Sequence, residues 1–169
     1  ETGYRVSAVV SPRAGEDFFQ HQQMHWYRTD LTGESEASAT MARILDSGPV
    51  DAAILTVGGF TMGTLDETSL ADLDKMFRLN FITSYNCARP LFKKMKQQPQ
   101  GGQIIFIGAK PGMDPSSAAK MVGYSLTKSL VFRLAEVINE EGEPYQVTAS
   151  VVVPGIIDTP ANRKAMPDS

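Results

Sequence analysis

A tyrosine and a lysine one helical turn apart are the residues whose types and spacing could do chemistry. In "MVGYSLTKSL" (121–130), Tyr124 and Lys128 are four positions apart, so on a helix they share a face. A phenol with a pKa of about 10 moves protons poorly at neutral pH, but a nearby ammonium favours the phenolate and lowers that pKa. Such a tyrosine could act as general acid or base toward a carbonyl or imine. The spacing alone is too common to identify an enzyme, so the flanking residues decide.

The pair lies in the strongest of three predicted helices, over 119–141, which has an apolar stripe formed by Val122, Leu126, Leu130, Leu134 and Val137. A second helix is predicted over 69–98, with Pro90 at a bend or tolerated as a kink. A third is predicted over 33–48 and ends at Gly48.

Five β-rich runs alternate with these helices, and they predict strands over 4–10, 24–31, 50–59, 101–109 and 145–155. The nearly continuous apolar run at 50–59 is typical of a strand buried on both faces of a parallel sheet. A Gly/Pro/Ser-rich loop is expected over 110–119, and a loop or short helix over 156–169. The alternation predicts an α/β fold, a doubly wound parallel sheet in one domain over 1–169.

In such a sheet, ligands bind beyond the carboxyl ends of the strands. The residues at the carboxyl ends of the predicted strands are Ser11, Asp30, Gly58 and Gly59, Gly108 and Ala109, and Pro154 and Gly155. We therefore expect the functional site at this edge.

Composition narrows the function classes. The chain is 42% hydrophobic and 21% charged, as expected for a globular protein, and its net charge is −3 with scattered basic residues. This balance gives no indication of nucleic acid or a membrane surface as partner, and we expect a small-molecule substrate and no metal site. The single cysteine, Cys87, excludes an intramolecular disulfide and, with no membrane-length apolar run, favours a cytoplasmic protein.

Several short motifs, in order, resemble the short-chain dehydrogenase/reductase family over nearly the whole chain. "ILTVGG" is similar to that family's Asn-Asn-Ala-Gly strand end, and "FRLNF" places Asn80 at its proton-relay asparagine. "GQIIFIGA" resembles its serine-bearing strand, "YSLTK" its catalytic helix, and "VVVPGIIDT" its Pro-Gly turn.

A closer resemblance, to the dihydropteridine reductase branch, comes from "GAK", "MVGYSLTK" and "DTPANRKAMPDS". That branch reduces a quinonoid dihydropterin and has alanine where most relatives have the catalytic serine, as Ala109 stands here. Without that hydroxyl, a pterin-like C=N acceptor is favoured over an ordinary carbonyl. Asn80 is instead a feature of the broader family, and Ser116 or Ser117 in the following loop could restore a hydroxyl to the substrate site.

The resemblance implies roles for the remaining residues. Tyr124 would be the proton donor, and Lys128 would hold the nicotinamide ribose. Gly58 and Gly59 would let the backbone approach the cofactor. The other cofactor contacts implied are Asp30 and Leu31 at the adenine, and Pro154, Gly155 and Thr159 at the carboxamide.

Ser11 and Arg13 bear on cofactor choice. An acidic residue at the end of the corresponding strand binds the ribose 2′-hydroxyl and rejects a 2′-phosphate. This chain has Ser11 and Arg13 there, and a guanidinium pairs well with phosphate oxygens. NADP(H) is therefore favoured over NAD(H).

The family's first strand and its glycine-rich phosphate turn have no counterpart here, and neither does its C-terminal end, so we expect the chain to be an interior portion of a larger domain. The resemblance also implies a homodimer or homotetramer through the two long helices, although their apolar stripes would serve equally well as core. Two alternatives stay open: a family member acting on an ordinary carbonyl or alcohol, and a non-catalytic dinucleotide-binding protein.

Overall fold

The computed structural model describes residues 3–15 and 22–155. The described part contains five strands: β1 (Val6–Val10), β2 (Met24–Arg28), β3 (Ala52–Leu55), β4 (Gly102–Ile107) and β5 (Val147–Val152). All pair in parallel, β1 with β2 in one sheet and β3–β4–β5 in another. This arrangement of parallel strands and crossover helices confirms the predicted α/β class.

Helix α1 (Glu34–Asp46) connects β2 to β3. The acidic residues in its first turn interact favourably with the positive N-terminal end of the helix dipole. Helix α2 (Leu70–Phe77) begins at a capping box in which Ser69 and Asp72 satisfy each other's backbone N–H groups. It runs through a π-helical segment, Arg78–Ile82, into α3 (Thr83–Met95), which carries Pro90 in its interior. The structure therefore confirms a helical segment within the predicted range 69–98, and it contains an irregular turn that the sequence pattern did not show.

Two predictions about the segment from 110 to 142 are wrong. The segment predicted as a loop over 110–119 contains the one-turn helix α4 (Lys110–Met113) and a 3₁₀ turn at Pro115–Ser117, whose start Asp114 caps by accepting from the backbone N–H of Ser116. Helix α5 (Val122–Gly142) is present as predicted, but its apolar stripe is not the buried face. Leu126, Leu130 and Val137 of that stripe are exposed.

The buried face of α5 is instead formed by smaller or less uniformly apolar residues, among them Gly123, Thr127, Val131, Ala135 and Ile138. Gly123 and Thr127 face α2 and the π-helical segment, whereas the other three belong to the hydrophobic core. The hydrophobic core joins this face to α1, α3 and the strand residues that point the same way, among them Ile104 and Phe106.

Strand β3 is not buried on both faces, contrary to the sequence prediction. Ala53 and Leu55 pack against the core, whereas Ile54 between them is 63% exposed. The strand register places Ile54 beside Ile105 on the face opposite the core cluster. In the described part of the chain, α1, α3 and α5 all contribute to the core on one face, which explains this alternation.

Beyond the carboxyl end of β3, the backbone is connected directly to the start of α5. An isolated parallel bridge joins Gly63 to Met121, so the segment after β3 is fixed to the start of α5. Lys120, just before that bridge, has a φ of 61°, a conformation that is unfavourable for a residue other than glycine. None of the helices in the described residues has the length and hydropathy needed to cross a membrane.

Candidate active site

Lys128 is anchored at the end of β4. Its side chain is buried, and its Nζ donates a hydrogen bond of 2.8 Å to the carbonyl oxygen of Ile107. Gly112 of α4 lies directly against it, since a Cβ at Gly112 would come within 2.8 Å of the Lys128 Cβ. The ammonium is thus held by backbone on one side and keeps further hydrogens for a ligand's hydroxyl groups.

Tyr124 lies one turn earlier on the same helix. Its ring centroid is 6.0 Å from Nζ of Lys128 and 5.0 Å from that of Phe60, which meets it edge to face at 81°. The bridge between Gly63 and Met121 holds Phe60's segment in this position. Phe60 was not predicted from the sequence; its location three residues before a glycine in a loop gave no signal of this contact.

Burial governs the proton affinities of both side chains. It raises the pKa of Tyr124 above the ordinary value for a phenol, and it lowers the pKa of Lys128. The sequence-based expectation that the lysine lowers the tyrosine pKa is therefore wrong for the unliganded site. The physical reason is that loss of water around the phenol disfavours the phenolate.

Asn80 lies in the π-helical segment and is completely buried. In a π turn the backbone N–H bonds five residues back, as Thr83 does to Arg78, and such turns often occur at functional sites. The Asn80 side chain accepts a hydrogen bond of 2.9 Å from the backbone N–H of Gly59 and donates one of 3.1 Å to Oγ1 of Thr127. It therefore links the end of β3 to α5.

Gly58 and Gly59 are the residues where the backbone comes closest to these groups. A Cβ at Gly58 would lie 2.8 Å from Oδ1 of Asn80 and 3.3 Å from Nζ of Lys128. At Gly59 a Cβ would lie 2.9 Å from Cδ1 of Leu79. The predicted glycine strand end is thus brought together with Asn80 and Lys128, and the site has space there only because no side chain is present.

The predicted substrate residues have different surroundings. Ala109 is buried just beyond β4, at the N-terminus of α4, with extended backbone angles. Ser116 is exposed, and its hydroxyl donates to Oδ1 of Asp114 within the 3₁₀ turn, while that of Ser117 donates to the Asp114 carbonyl. Both hydroxyls are engaged locally, so a substrate contact by Ser116 stays a prediction that requires this cap to open.

The predicted adenosine-binding residues follow β1 and β2. Ser11 accepts from the backbone N–H of Arg13, and both are exposed. The carboxylate of Asp30 accepts two hydrogen bonds from Thr32, which lower its pKa, and the charge of nearby Arg13 lowers it further. The structure therefore places Ser11, Arg13 and Asp30 at the same edge of the β1–β2 sheet.

Leu31 points into the hydrophobic core, and its carbonyl accepts from Nδ2 of Asn86. Any contact of Leu31 with an adenine would therefore involve its backbone. Pro154 and Gly155 follow β5, as predicted, and Thr159 lies outside the described residues.

Thr127 is the buried polar residue of this site that the sequence analysis missed. It lies between Tyr124 and Lys128 in α5, against the π-helical segment, and it is 1% exposed. A threonine within a helix gave no signal of this contact in the sequence. Around the site, the described residues contain no cluster of three or more His, Cys, Asp or Glu side chains suited to a metal ion.

Comparison with known proteins identifies the same family as the sequence motifs did. Residues 4–169 match the family model described as short chain dehydrogenase. A cyclic-di-GMP-binding biofilm dispersal mediator protein of Escherichia coli is 30% identical over 132 residues, which are 78% of this chain and 54% of that protein. The mouse 3-ketodihydrosphingosine reductase is 28% identical over 113 residues, 67% of this chain and 33% of that enzyme. The chain thus spans about half the length, or less, of these curated relatives.

Solved structures of other proteins superpose well on this chain. ElxO with NADP bound superposes with a TM-score of 0.80 at 25% identity, covering 86% of this chain and 58% of ElxO. A short-chain dehydrogenase from Streptomyces avermitilis gives 0.76 at 24% identity, over 82% of this chain and 51% of that one, and supports the fold alone. The resemblance to the dihydropteridine reductase branch stays a prediction. With the family model matching almost from end to end and the tyrosine, lysine and asparagine gathered at one sheet edge, this chain belongs to the short-chain dehydrogenase family.

Proposed function

We propose that this chain carries the catalytic groups of an NAD(P)(H)-dependent oxidoreductase that reduces a polarised C=O or C=N bond, with Tyr124 as proton donor. The observation that carries the proposal is the convergence of Gly58, Asn80 and Lys128 within hydrogen-bond or contact distance, one helical turn from Tyr124. These groups come from three elements that are far apart in the sequence: the segment after β3, the π-helical segment and α5. An ordinary helix surface would not require such an arrangement.

The cradle beside Gly58 fits a nicotinamide nucleotide. The missing side chain leaves space between Oδ1 of Asn80 and Nζ of Lys128, and the ammonium has hydrogens left after its bond to Ile107. Lys128 would bind the ribose hydroxyls there, and Pro154, Gly155 and Thr159 would hold the carboxamide. When bound, the reduced nicotinamide supplies the hydride.

Tyr124 then has a defined task. Its phenol is protonated at neutral pH, since the ordinary phenol pKa of about 10 already lies well above 7 and burial raises the pKa further. It can therefore donate a proton to the acceptor oxygen or nitrogen as the adjoining carbon gains hydride. The phenolate that remains is stabilised by the positive charge of Lys128. Phe60 packs against one edge of the ring and limits the directions from which an acceptor can approach.

For the acceptor, we propose an ordinary carbonyl compound first, because one of the relatives is named 3-ketodihydrosphingosine reductase. A pterin-like C=N acceptor is the second candidate, and Ala109 is the observation that favours it. The position beyond β4 is buried and offers a methyl group, so Tyr124 would be the acid with no neighbouring hydroxyl from that residue.

For the cofactor, we propose a preference for NADP(H), which rests on Arg13 beside Ser11 at the end of β1. We also propose a homodimer or homotetramer formed through the long helices. Its support is the exposed Leu126 and Leu130 on α5, together with the stacked rings of Phe77, Phe81 and Tyr85 on the neighbouring helical segment.

The deciding experiment measures NADPH oxidation by the full-length protein with a panel of 3-keto compounds and, separately, with quinonoid dihydropterin. Wild type should turn over one of these, and Tyr124→Phe should lose activity by about 10²-fold or more while binding NADPH normally. Tyr85→Phe on α3 is the matched control and should retain activity. NADPH binding without turnover of either acceptor would leave a non-catalytic dinucleotide-binding protein, and no binding would contradict the proposal as a whole.

A further inference from the structure

We infer that Thr127 is a positioning residue: its hydroxyl fixes the orientation of the Asn80 amide and thereby holds the cofactor strand end at Gly58–Gly59 against the helix that carries Tyr124 and Lys128. This inference rests on the proposed function for its kinetic consequence. Its structural part stands on the hydrogen bonds alone.

The hydrogen bonds around Thr127 and Asn80 form a chain in which the donor and the acceptor of each bond are determined. The Thr127 hydroxyl donates 2.8 Å to the carbonyl of Gly123, one turn earlier on α5, with the Tyr124 carbonyl also within 3.1 Å. Because its one hydrogen is used in its own helix, Oγ1 is left as an acceptor. It accepts at 3.1 Å from Nδ2 of Asn80.

The other end of the Asn80 amide is fixed by a group that can only donate. The backbone N–H of Gly59 donates 2.9 Å to Oδ1 of Asn80, so the oxygen must face β3 and the nitrogen must face α5. The thioether of Met76, at 3.9 Å, is the second contact of Nδ2 and a weak acceptor. Thr127 therefore provides the strong acceptor for a completely buried amide nitrogen.

Losing this acceptor would affect the site more than the fold. A buried N–H₂ without an oxygen partner bears its full desolvation cost, and the amide can lower that cost by rotating. Rotation would withdraw Oδ1 from the Gly59 N–H. The same oxygen lies 2.8 Å from where a Gly58 Cβ would be, so its displacement changes the wall of the nucleotide cradle.

The test begins with a measurement that needs no turnover. Thr127→Val keeps the β-branched shape and removes the hydroxyl, while Thr127→Ser keeps the hydroxyl. Side-chain amide hydrogens of Asn80, assigned by their loss in Asn80→Ala, should exchange with solvent about tenfold faster in Thr127→Val than in wild type, relative to the core amide of Phe106. Thr127→Ser should restore slow exchange, and Ser125→Ala, which removes a hydroxyl bonded to Val122 on the same helix, should leave it unchanged.

Turnover supplies the second arm. With NADPH, Thr127→Val should lower kcat/KM about tenfold, whereas Thr127→Ser retains most of it. Because Thr127 acts through Asn80, the double variant Asn80→Ala/Thr127→Val should be no less active than Asn80→Ala. Independent, additive losses would contradict the inference, as would unchanged Asn80 exchange in Thr127→Val.

If Thr127→Val does not fold, Thr127→Ala against Thr127→Ser gives the same comparison. Should wild type fail to bind NADPH, the proposed function is wrong, while the exchange ratio still decides the role of Thr127.

Discussion

Nζ of Lys128 donates a 2.8 Å hydrogen bond to the carbonyl oxygen of Ile107, the last residue of β4. A buried ammonium is thus held at a strand end by backbone rather than by a carboxylate. No acidic side chain neutralises it through a described salt bridge, so its charge is available to a ligand and to a phenolate at Tyr124.

Replacing this ammonium should weaken cofactor binding. Lys128→Met preserves the length of the side chain and removes the charge and the donors, so NADPH affinity should fall by roughly ten- to a hundredfold, the loss expected for hydrogen bonds from a charged group. Titration of NADPH fluorescence measures it. Lys110→Met, on the exposed side of α4, is the control and should bind normally. Equal affinities for the two variants would contradict the assignment of Lys128.

The titration of Tyr124 gives a pH-dependent prediction. Its folded-state pKa lies above the ordinary phenol value, so between about pH 10 and that higher value the folded chain holds a proton that the unfolded chain has lost. Stability contributed by this difference is complete below about pH 10 and is lost as the pH rises through the folded value.

Chemical unfolding at a series of alkaline pH values measures this. Wild type should lose free energy of unfolding more steeply above about pH 10 than Tyr124→Phe, which has no phenol to titrate there. Parallel curves for wild type and Tyr124→Phe would show that the phenol is not perturbed by burial.

Adding one carbon at Gly58 should disturb both stability and the site. The new Cβ would meet Oδ1 of Asn80 at 2.8 Å, and that oxygen is held by Gly59 and cannot retreat without breaking its hydrogen bond. Gly58→Ala should therefore lower the free energy of unfolding by about 1–3 kcal/mol and abolish tight NADPH binding.

Gly123→Ala is the matched control for that change. Its Cβ would have an ordinary contact of 3.5 Å with Met76, and alanine is the better helix former, so stability should not fall. Thermal unfolding with and without NADPH separates the effects. A Gly58→Ala variant as stable as wild type would mean that the Asn80 amide is free to move.

Arg13 should determine the cofactor preference. Arg13→Ala should weaken NADPH binding about tenfold and leave NADH nearly unchanged, because only the former carries a 2′-phosphate for the guanidinium. The ratio of kcat/KM for the two cofactors is the measurement. Arg133→Ala, an exposed arginine on α5, is the control. If the ratio does not change in Arg13→Ala, Arg13 does not read the phosphate.

The exposed leucines of α5 should form the subunit interface. Leu126→Asp introduces a charge into an apolar stripe and should shift a homodimer or homotetramer toward monomer in sedimentation velocity. Leu65→Asp places the same charge on another exposed leucine, in the segment before α2, and should leave the assembly intact. Identical sedimentation of Leu126→Asp and wild type would place the interface elsewhere.

The sequence predicted the order of elements and the end of each strand at which the site forms, because both follow from local patterns. The resemblance to the family pointed to the glycine pair, Asn80 and the Tyr124–Lys128 pair, and the structure brings these residues close together, while their roles stay a proposal. The role of Thr127 was not, since a threonine in a helix is ordinary until its distant partner is known. The prediction of which face of α5 is buried was also wrong. Periodicity identifies an apolar stripe, but it does not show whether solvent, the sheet or another subunit covers that stripe.

The prediction that Lys128 lowers the pKa of Tyr124 was wrong for a related reason. Spacing along a helix gives the proximity of a lysine, but it does not show how much water is lost around the phenol. That loss depends on how α5 packs in the folded chain, where Lys128 contacts Ile107 at the end of β4 and Gly112 of α4.

The π-helical segment at 78–82 has a further consequence for how this protein could be altered. A regular helix advances 100° per residue, so one surplus residue in a turn sets α2 and α3 out of phase with each other. Deleting a residue here would yield a straighter helix with better hydrogen bonding, and the same deletion would swing the Asn80 side chain away from Gly59. At this point a regular helix is incompatible with the Asn80–Gly59 hydrogen bond, so a change that made the helix regular would separate the two elements that this bond joins.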